Sequence, residues 1–265
     1  MRWLKNCLTR HAKCREQQTP VDWLPTRLID VRLPGDSQQP QLILTSELKS
    51  ERNNGYLTLS HRWASTHVVT LKSSNIDSFK QRIPLESLSS TFLDAIKVTR
   101  ALGVRYLWID SLCIIQDSLV DWQAESAEIG NIYRNYVCNI AATGSSENGN
   151  SLFRERNTHW VTPSKVRIQY EGHDKIYSAS LRDLWGKWIS RSMLNRRGWV
   201  LQERLLSPRT LYFASQLFWE CRMLQACETY LEGMPSDDDH YTELDGSYLP
   251  ISLKNWHGEC EETEF

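Results

Sequence analysis

The sequence predicts an α/β fold: a short parallel sheet with crossover helices, followed by a C-terminal part that contains a β-hairpin. Three observations carry that expectation. Apolar runs of strand length recur at Tyr56–Ser60, Val104–Ile109 and Val137–Ala142, and each ends at polar turn residues. Two stretches between them have helical spacing. Strand, helix, strand, helix, strand is the order that builds parallel pairs, because each return crossing needs a helix.

Residues 1–26 read as a loosely structured lead-in whose start carries Arg2, Lys5, Arg10, Lys13 and Arg15 without an acid. Leu28–Val31 and Leu42–Leu44, with Pro34-Gly35 between them, predict a small hairpin ahead of the main domain. Tyr56–Ser60 follows a turn at Asn53-Asn54-Gly55. From Thr91 to Leu102, Phe92, Ala95, Ile96 and Thr99 share a helical face; Thr91 with Asp94 predicts a capping box and Gly103 the C-cap. Val104–Ile109 is β-branched and aromatic, as a strand buried on both faces should be. Asp117 or Ser118 caps a second helix with Trp122, Ser126, Ile129 and Tyr133 along one side.

The third strand stops at Thr143-Gly144-Ser145-Ser146. Residues 167–170 and 176–181 predict a hairpin around Gly172-His173-Asp174. Trp199–Leu206 predicts a helix stopped by Ser207-Pro208, and 210–213 with 216–221 predict two strands joined by a tight turn. The expected organisation is a lead-in over 1–50, the main domain over 51–222 and an acidic tail or further region over 223–265.

Composition narrows the function. An apolar content of 40% supports a sizeable core, and a net charge of −1 argues against a general nucleic-acid binder. No run approaches the ~20 apolar residues of a membrane span. The 7 cysteines are odd in number and lack paired CxxC spacing, so free thiols in a reducing, cytoplasmic compartment are expected. No metal site is expected, since neither Cys221 nor Cys227 has a nearby second pair, and no glycine-rich phosphate loop occurs.

Ligands of parallel sheets bind beyond the carboxyl ends of the strands. That rule selects three loops: Ser60-His61-Arg62-Trp63, Asp110-Ser111-Leu112-Cys113 with Gln116-Asp117, and Thr143–Ser146. Arg62 can grip a phosphate and Trp63 can stack on a ring; equally, Arg62 can pair with Asp110, or Asp110 can cap its own turn. Cys113 with His61 suggests a Cys–His nucleophile, while Ile114 and Ile115 suggest that Cys113 is packed. Trp199 and Glu203 are helical neighbours, where an indole beside a carboxylate would raise its pKa. The alternative is a surface glutamate paired with Arg196 or Arg204.

Four ordered blocks, YLTLSHRWA (56–64), DAIKVTRALGVRYLWIDSLCIIQD (94–117), DWQAESAEIGNIYRNYVCNIAATGS (121–145) and RRGWVLQERLLSPRTLYF (196–213), resemble the heterokaryon incompatibility (HET) domain of filamentous fungi. Ala64 departs from it, standing where that family usually has glycine. The resemblance implies a part in programmed cell death when unlike fungal cells fuse. It also implies a distant similarity to TIR domains, with their flavodoxin-like parallel sheet. Some TIR domains hydrolyse NAD with one glutamate in a motif Trp-Cys-x-x-Glu, and Trp199-Val200-Leu201-Gln202-Glu203 is similar to it with Val200 in place of cysteine. What the resemblance implies for this chain is Glu203 as catalytic carboxylate, and Ser60, His61, Arg62, Trp63, Asp110, Ser111, Cys113 and Trp199 around the substrate. NAD enters as substrate, with no cofactor. Self-association without catalysis is the competing implication.

Overall fold

The computed structural model describes residues 2–15, 23–33, 39–48, 55–63, 69–144, 151–155, 158–170, 173–179, 183–196 and 198–235. Eight strands make one mixed sheet: β1 (Arg27–Asp30), β2 (Gln41–Leu44), β3 (Tyr56–Ser60), β4 (Tyr106–Trp108), β5 (Cys138–Ala141), β8 (Arg209–Phe213), β9 (Leu217–Cys221) and β10 (Leu224–Cys227). A separate hairpin pairs β6 (Ser164–Tyr170) with β7 (His173–Ala179). The sheet runs β10-β9-β8-β5-β3-β4-β1-β2.

Its centre is parallel. β3 pairs with β4 and β5, and β5 with β8, with Leu57 opposite both Leu107 and Cys138. Every residue of β3, β4 and β5 is buried, which is why these strands read as unbroken apolar runs. In chain order the parallel strands stand second, first, third, fourth, the beginning of the flavodoxin-like order. Antiparallel strands then take over at both edges.

The crossovers are α4 (Ser90–Ala101), which follows the short α3 (Ile76–Gln81) between β3 and β4, and α6 (Leu119–Asn135) between β4 and β5; a single turn, α7 (Thr158–Val161), precedes β6. Their caps refine the expected ones. Ser89, not Thr91, opens α4 by accepting the Phe92 N–H; Thr91 is buried, and Asp94 instead accepts the Leu152 N–H at 3.0 Å. Gly103 closes the turn at φ +72°, where a Cβ would be strained. Ser118 caps α6, while Asp117 accepts from the Ser73 N–H at 2.8 Å.

Elements on both sides of the expected 51–222 span pack onto the sheet. The lead-in begins with α1 (Arg2–Arg10) and α2 (Ala12–Arg15), whose Leu4, Cys7 and Cys14 are buried. The predicted β1–β2 hairpin forms, but β1 also pairs antiparallel with β4 and so belongs to the main sheet. Arg27 at its start is buried and bridges Asp121 (2.6 Å) and Glu125 (3.2 Å) of α6. At the other end, residue 222 falls inside a hairpin: Leu224 lies opposite Cys221, and β10 completes the sheet edge. The second departure had no local signal, because β10 carries two apolar residues and a cysteine that find their partners only in β9; the first had one, since Trp3, Leu4, Cys7 and Leu8 recur on one helical face. Among the described residues no helix is long and apolar enough to cross a membrane.

Candidate active site at the carboxyl rim

Where β3 and β4 end, a cleft of about 200 Å³ opens, lined by Ser60, His61, Trp63, Trp108, Asp110 and Glu203 among others. Two of the three predicted loops therefore meet, and the glutamate of α8 (Gly198–Leu206) joins them. The long helix supplies a wall. Trp122, Ser126, Ile129 and Tyr133, one helical face in the sequence, all line the cleft. Trp122 is 46% exposed at the mouth, so its place on that face is not a core position.

Glu203 is held by a polar relay through the sheet. The Thr58 hydroxyl donates to the Asn139 carbonyl oxygen (2.9 Å), the Asn139 amide donates to Ser60 Oγ (2.9 Å), and the Ser60 hydroxyl donates to Glu203 Oε2. Three of these residues are buried, so each missing bond would expose an unsatisfied group in a dry interior. Glu203 and Ser60 are 143 positions apart. The arginine next to the glutamate is engaged elsewhere: Arg204 gives two N–H groups to Glu220, each at 2.9 Å.

Asp110 begins the short helix α5 (Asp110–Cys113), where it bonds within its own turn as expected and also holds Trp63, which the sequence did not suggest. Its Oδ1 accepts the Ser111 N–H at 2.7 Å and lies 3.9 Å from His61 Nδ1, and its Oδ2 accepts the Trp63 indole N–H at 2.9 Å. The His61 ring stands edge-on to Phe92 at 4.9 Å. Tyr133 forms part of the wall between the two carboxylates. Burial first, then the negative charges of Glu203 and Asp110, push its phenol well above its ordinary pKa, so it remains a neutral donor.

Other predicted residues are placed differently. Ser111 is fully buried, and its hydroxyl has no hydrogen-bond partner among the described residues. Cys113 is fully buried as well; burial pushes its thiol up to about 12, and its carbonyl accepts from Arg27 Nε at 2.6 Å. Such a thiol is packing, not a nucleophile. Arg62 is half-buried beside the cleft but does not line it. Thr143 and Gly144 of the third loop turn to β8, both bonding the Phe213 carbonyl, while Ser145 and Ser146 lie outside the described residues. The Trp199 side chain also lies outside them.

Sequence reasoning picked out Gln116, which lines the cleft, but missed Asn139 and the place of Tyr133 in the cleft wall. Asn139 had a signal, a lone amide inside an apolar strand. The absence of metal ligands was inferred from local spacing, yet Cys7, His11, Cys14 and Cys221 come within 4.8 Å of one another at the opposite rim.

The site is thus a small, carboxylate-bearing, ring-lined cleft at the carboxyl edge of a parallel sheet. The heterokaryon incompatibility protein family (HET) matches residues 56–203, and the chain belongs to that family, with a role related to heterokaryon incompatibility. That match spans β3 through Glu203. No curated protein and no solved structure matches the chain.

Proposed function

We propose that the protein hydrolyses NAD at the nicotinamide–ribose bond and acts in that way as a cell-death effector. One observation carries the reading: Glu203 and Asp110 share a cleft with Trp63, Trp108, Trp122 and Tyr133, and no lysine or arginine lines it among the described residues. Carboxylates and aromatic faces suit a cationic ring, and nicotinamide in NAD is a cationic pyridinium. A cavity of ~150 Å³ holds benzene, so about 200 Å³ admits this ring and part of its ribose, with the diphosphate outside. In this pose neither Ser60 nor Ser111 meets the diphosphate, since Ser60 serves Glu203 and Ser111 is buried.

As the C–N bond breaks, its electron pair leaves with nicotinamide, which departs neutral and needs no general acid. Positive charge grows on the ribosyl carbon, and the Glu203 carboxylate, positioned by Ser60, stabilises it. Water then attacks that carbon and Glu203 accepts its proton. The products are nicotinamide, ADP-ribose and a proton.

Full-length protein at high concentration, incubated with NAD, should release nicotinamide, and Glu203→Gln should cut that rate by about 10²–10³-fold with unchanged circular dichroism. Absent release from concentrated wild type, or equal release from the variant, overturns the enzymatic reading. A second reading, death signalling by self-association, is favoured by exposed Leu119 and Val120 in the first turn of α6. Equal toxicity of wild type and Glu203→Gln in cells would select it.

A further inference from the structure

At the amino rim of the sheet, four metal-binding side chains converge from distant parts of the chain. Cys7 comes from α1, His11 from the junction of α1 and α2, Cys14 from α2 and Cys221 from the end of β9. Their ligand atoms all lie within 4.8 Å of one another, and His11 Nδ1 is 3.3 Å from Cys221 Sγ. A tetrahedral zinc ion with Zn–S of about 2.3 Å sets its donors ~3.8 Å apart, so the cluster needs only a slight contraction to close on an ion.

Arg209 supplies the second, independent observation. It is buried beside the cluster and donates to Cys7 Sγ at 3.2 Å and to the carbonyls of Val137 (3.2 Å) and Cys14 (3.4 Å). Among the described residues this guanidinium meets no carboxylate, and a buried cation without an anion is costly. Three thiolates and a neutral imidazole on a divalent ion carry one net negative charge. That is the counter-charge Arg209 lacks, in the outer position from which such groups tune metal-bound thiolates.

We propose that Cys7, His11, Cys14 and Cys221 form a structural zinc site that ties the N-terminal helices to the outer strands of the sheet. The donor set decides the metal class: soft thiolates with one imidazole, in a closed four-donor arrangement, are the pattern of structural zinc. Cys7 and Cys14 are buried, which suits a closed structural site. The stacked rings of Trp3 and Trp219, with centroids 6.5 Å apart, join the same two elements nearby. The site lies outside the family-matched span and at the opposite end of the strands from Glu203, so it stands or falls apart from the proposed catalysis.

The test uses full-length protein purified under reducing conditions without chelator. Elemental analysis should find one equivalent of zinc per chain, and exchange for cobalt should give the intense visible absorption of a tetrahedral thiolate complex. His11→Ala and Cys14→Ser should lose the metal, whereas His11→Cys should retain it. Where a variant fails to fold, the wild-type cobalt spectrum and the protection of its thiols from a disulfide reagent, lost on adding a chelator, still report the site. Wild type that remains metal-free after zinc is added under reducing conditions, or a disulfide joining Cys7 to Cys221 in such a preparation, would overturn the proposal.

Discussion

The two rims of this sheet solve different problems with similar means. At the carboxyl rim, Ser60, Asp110 and Glu203 surround an open hollow of about 200 Å³. At the amino rim, Cys7, Cys14 and Arg209 are buried around a cluster whose donor atoms lie within 4.8 Å of one another. Both gather polar groups from segments far apart in the chain. They differ in what remains after the groups have met: space for a ligand at one rim, and room for little more than an ion at the other. Open polar convergence suits turnover; closed convergence of soft donors suits a fastening.

The same physical asymmetry explains why β-strand direction matters here. Each central strand delivers its following loop to the carboxyl rim, so Ser60, His61, Trp63 and Asp110 collect there. β9 runs against β8, with Cys221 opposite Arg209, and therefore delivers its last residue to the other rim.

The strongest way to break the open rim without touching the closed one is Arg27→Ala. It removes the cation between Asp121 and Glu125, leaves the buried Glu125 and part-buried Asp121 without their counter-charge and frees the foot of the helix that walls the cleft. Breaking a buried pair from one side costs about 3–5 kcal/mol, to be read as a lower urea midpoint, while any bound zinc in the folded fraction should persist.

A smaller effect is expected at Asp94, which ties Leu152, beyond the end of β5, to α4. Burial alone would raise its pKa, but the Ser151 hydroxyl, Lys97 and the Leu152 N–H outweigh it and hold the carboxyl below its usual range. A depressed folded pKa means stability that is full above the unfolded value of ~3.9 and is lost as pH falls through the folded one. Wild type should therefore lose stability on acidification below about pH 4, and Asp94→Asn should flatten that slope in melting curves. An unchanged slope would show that the tie carries no charge-dependent stability.

The smallest change in stability should come from Trp122→Ala at the cleft mouth. An exposed substitution of this kind shifts stability by roughly 0.5 kcal/mol or less. If the pyridinium ring binds where proposed, KM for NAD should nevertheless rise several-fold while kcat changes less. A KM equal to wild type would place the ring elsewhere.

Much of the fold was legible because its signals are local. Val104–Ile109 and Val137–Ala142 announce central strands through unbroken apolar composition, since a strand covered on both faces has no polar side to show. Ser118, Gly103 and Ser207-Pro208 mark helix ends because capping chemistry acts over a single turn. The face formed by Trp122, Ser126, Ile129 and Tyr133 was also visible, but periodicity alone could not tell whether it covers a core or borders a cavity. The candidate site was partly legible for one reason: loops after parallel strands must share a rim.

What the sequence determined by itself is therefore the class of fold, the order of its central elements and the family to which they belong. Tertiary structure alone decided that Ser60 holds Glu203, that Ser111 turns inward, and that Cys7, His11 and Cys14 meet Cys221. Each of those outcomes depends on contacts between residues far apart in the chain. No spacing within one element encodes such a contact; it arises only when strand order and helix packing bring the elements together.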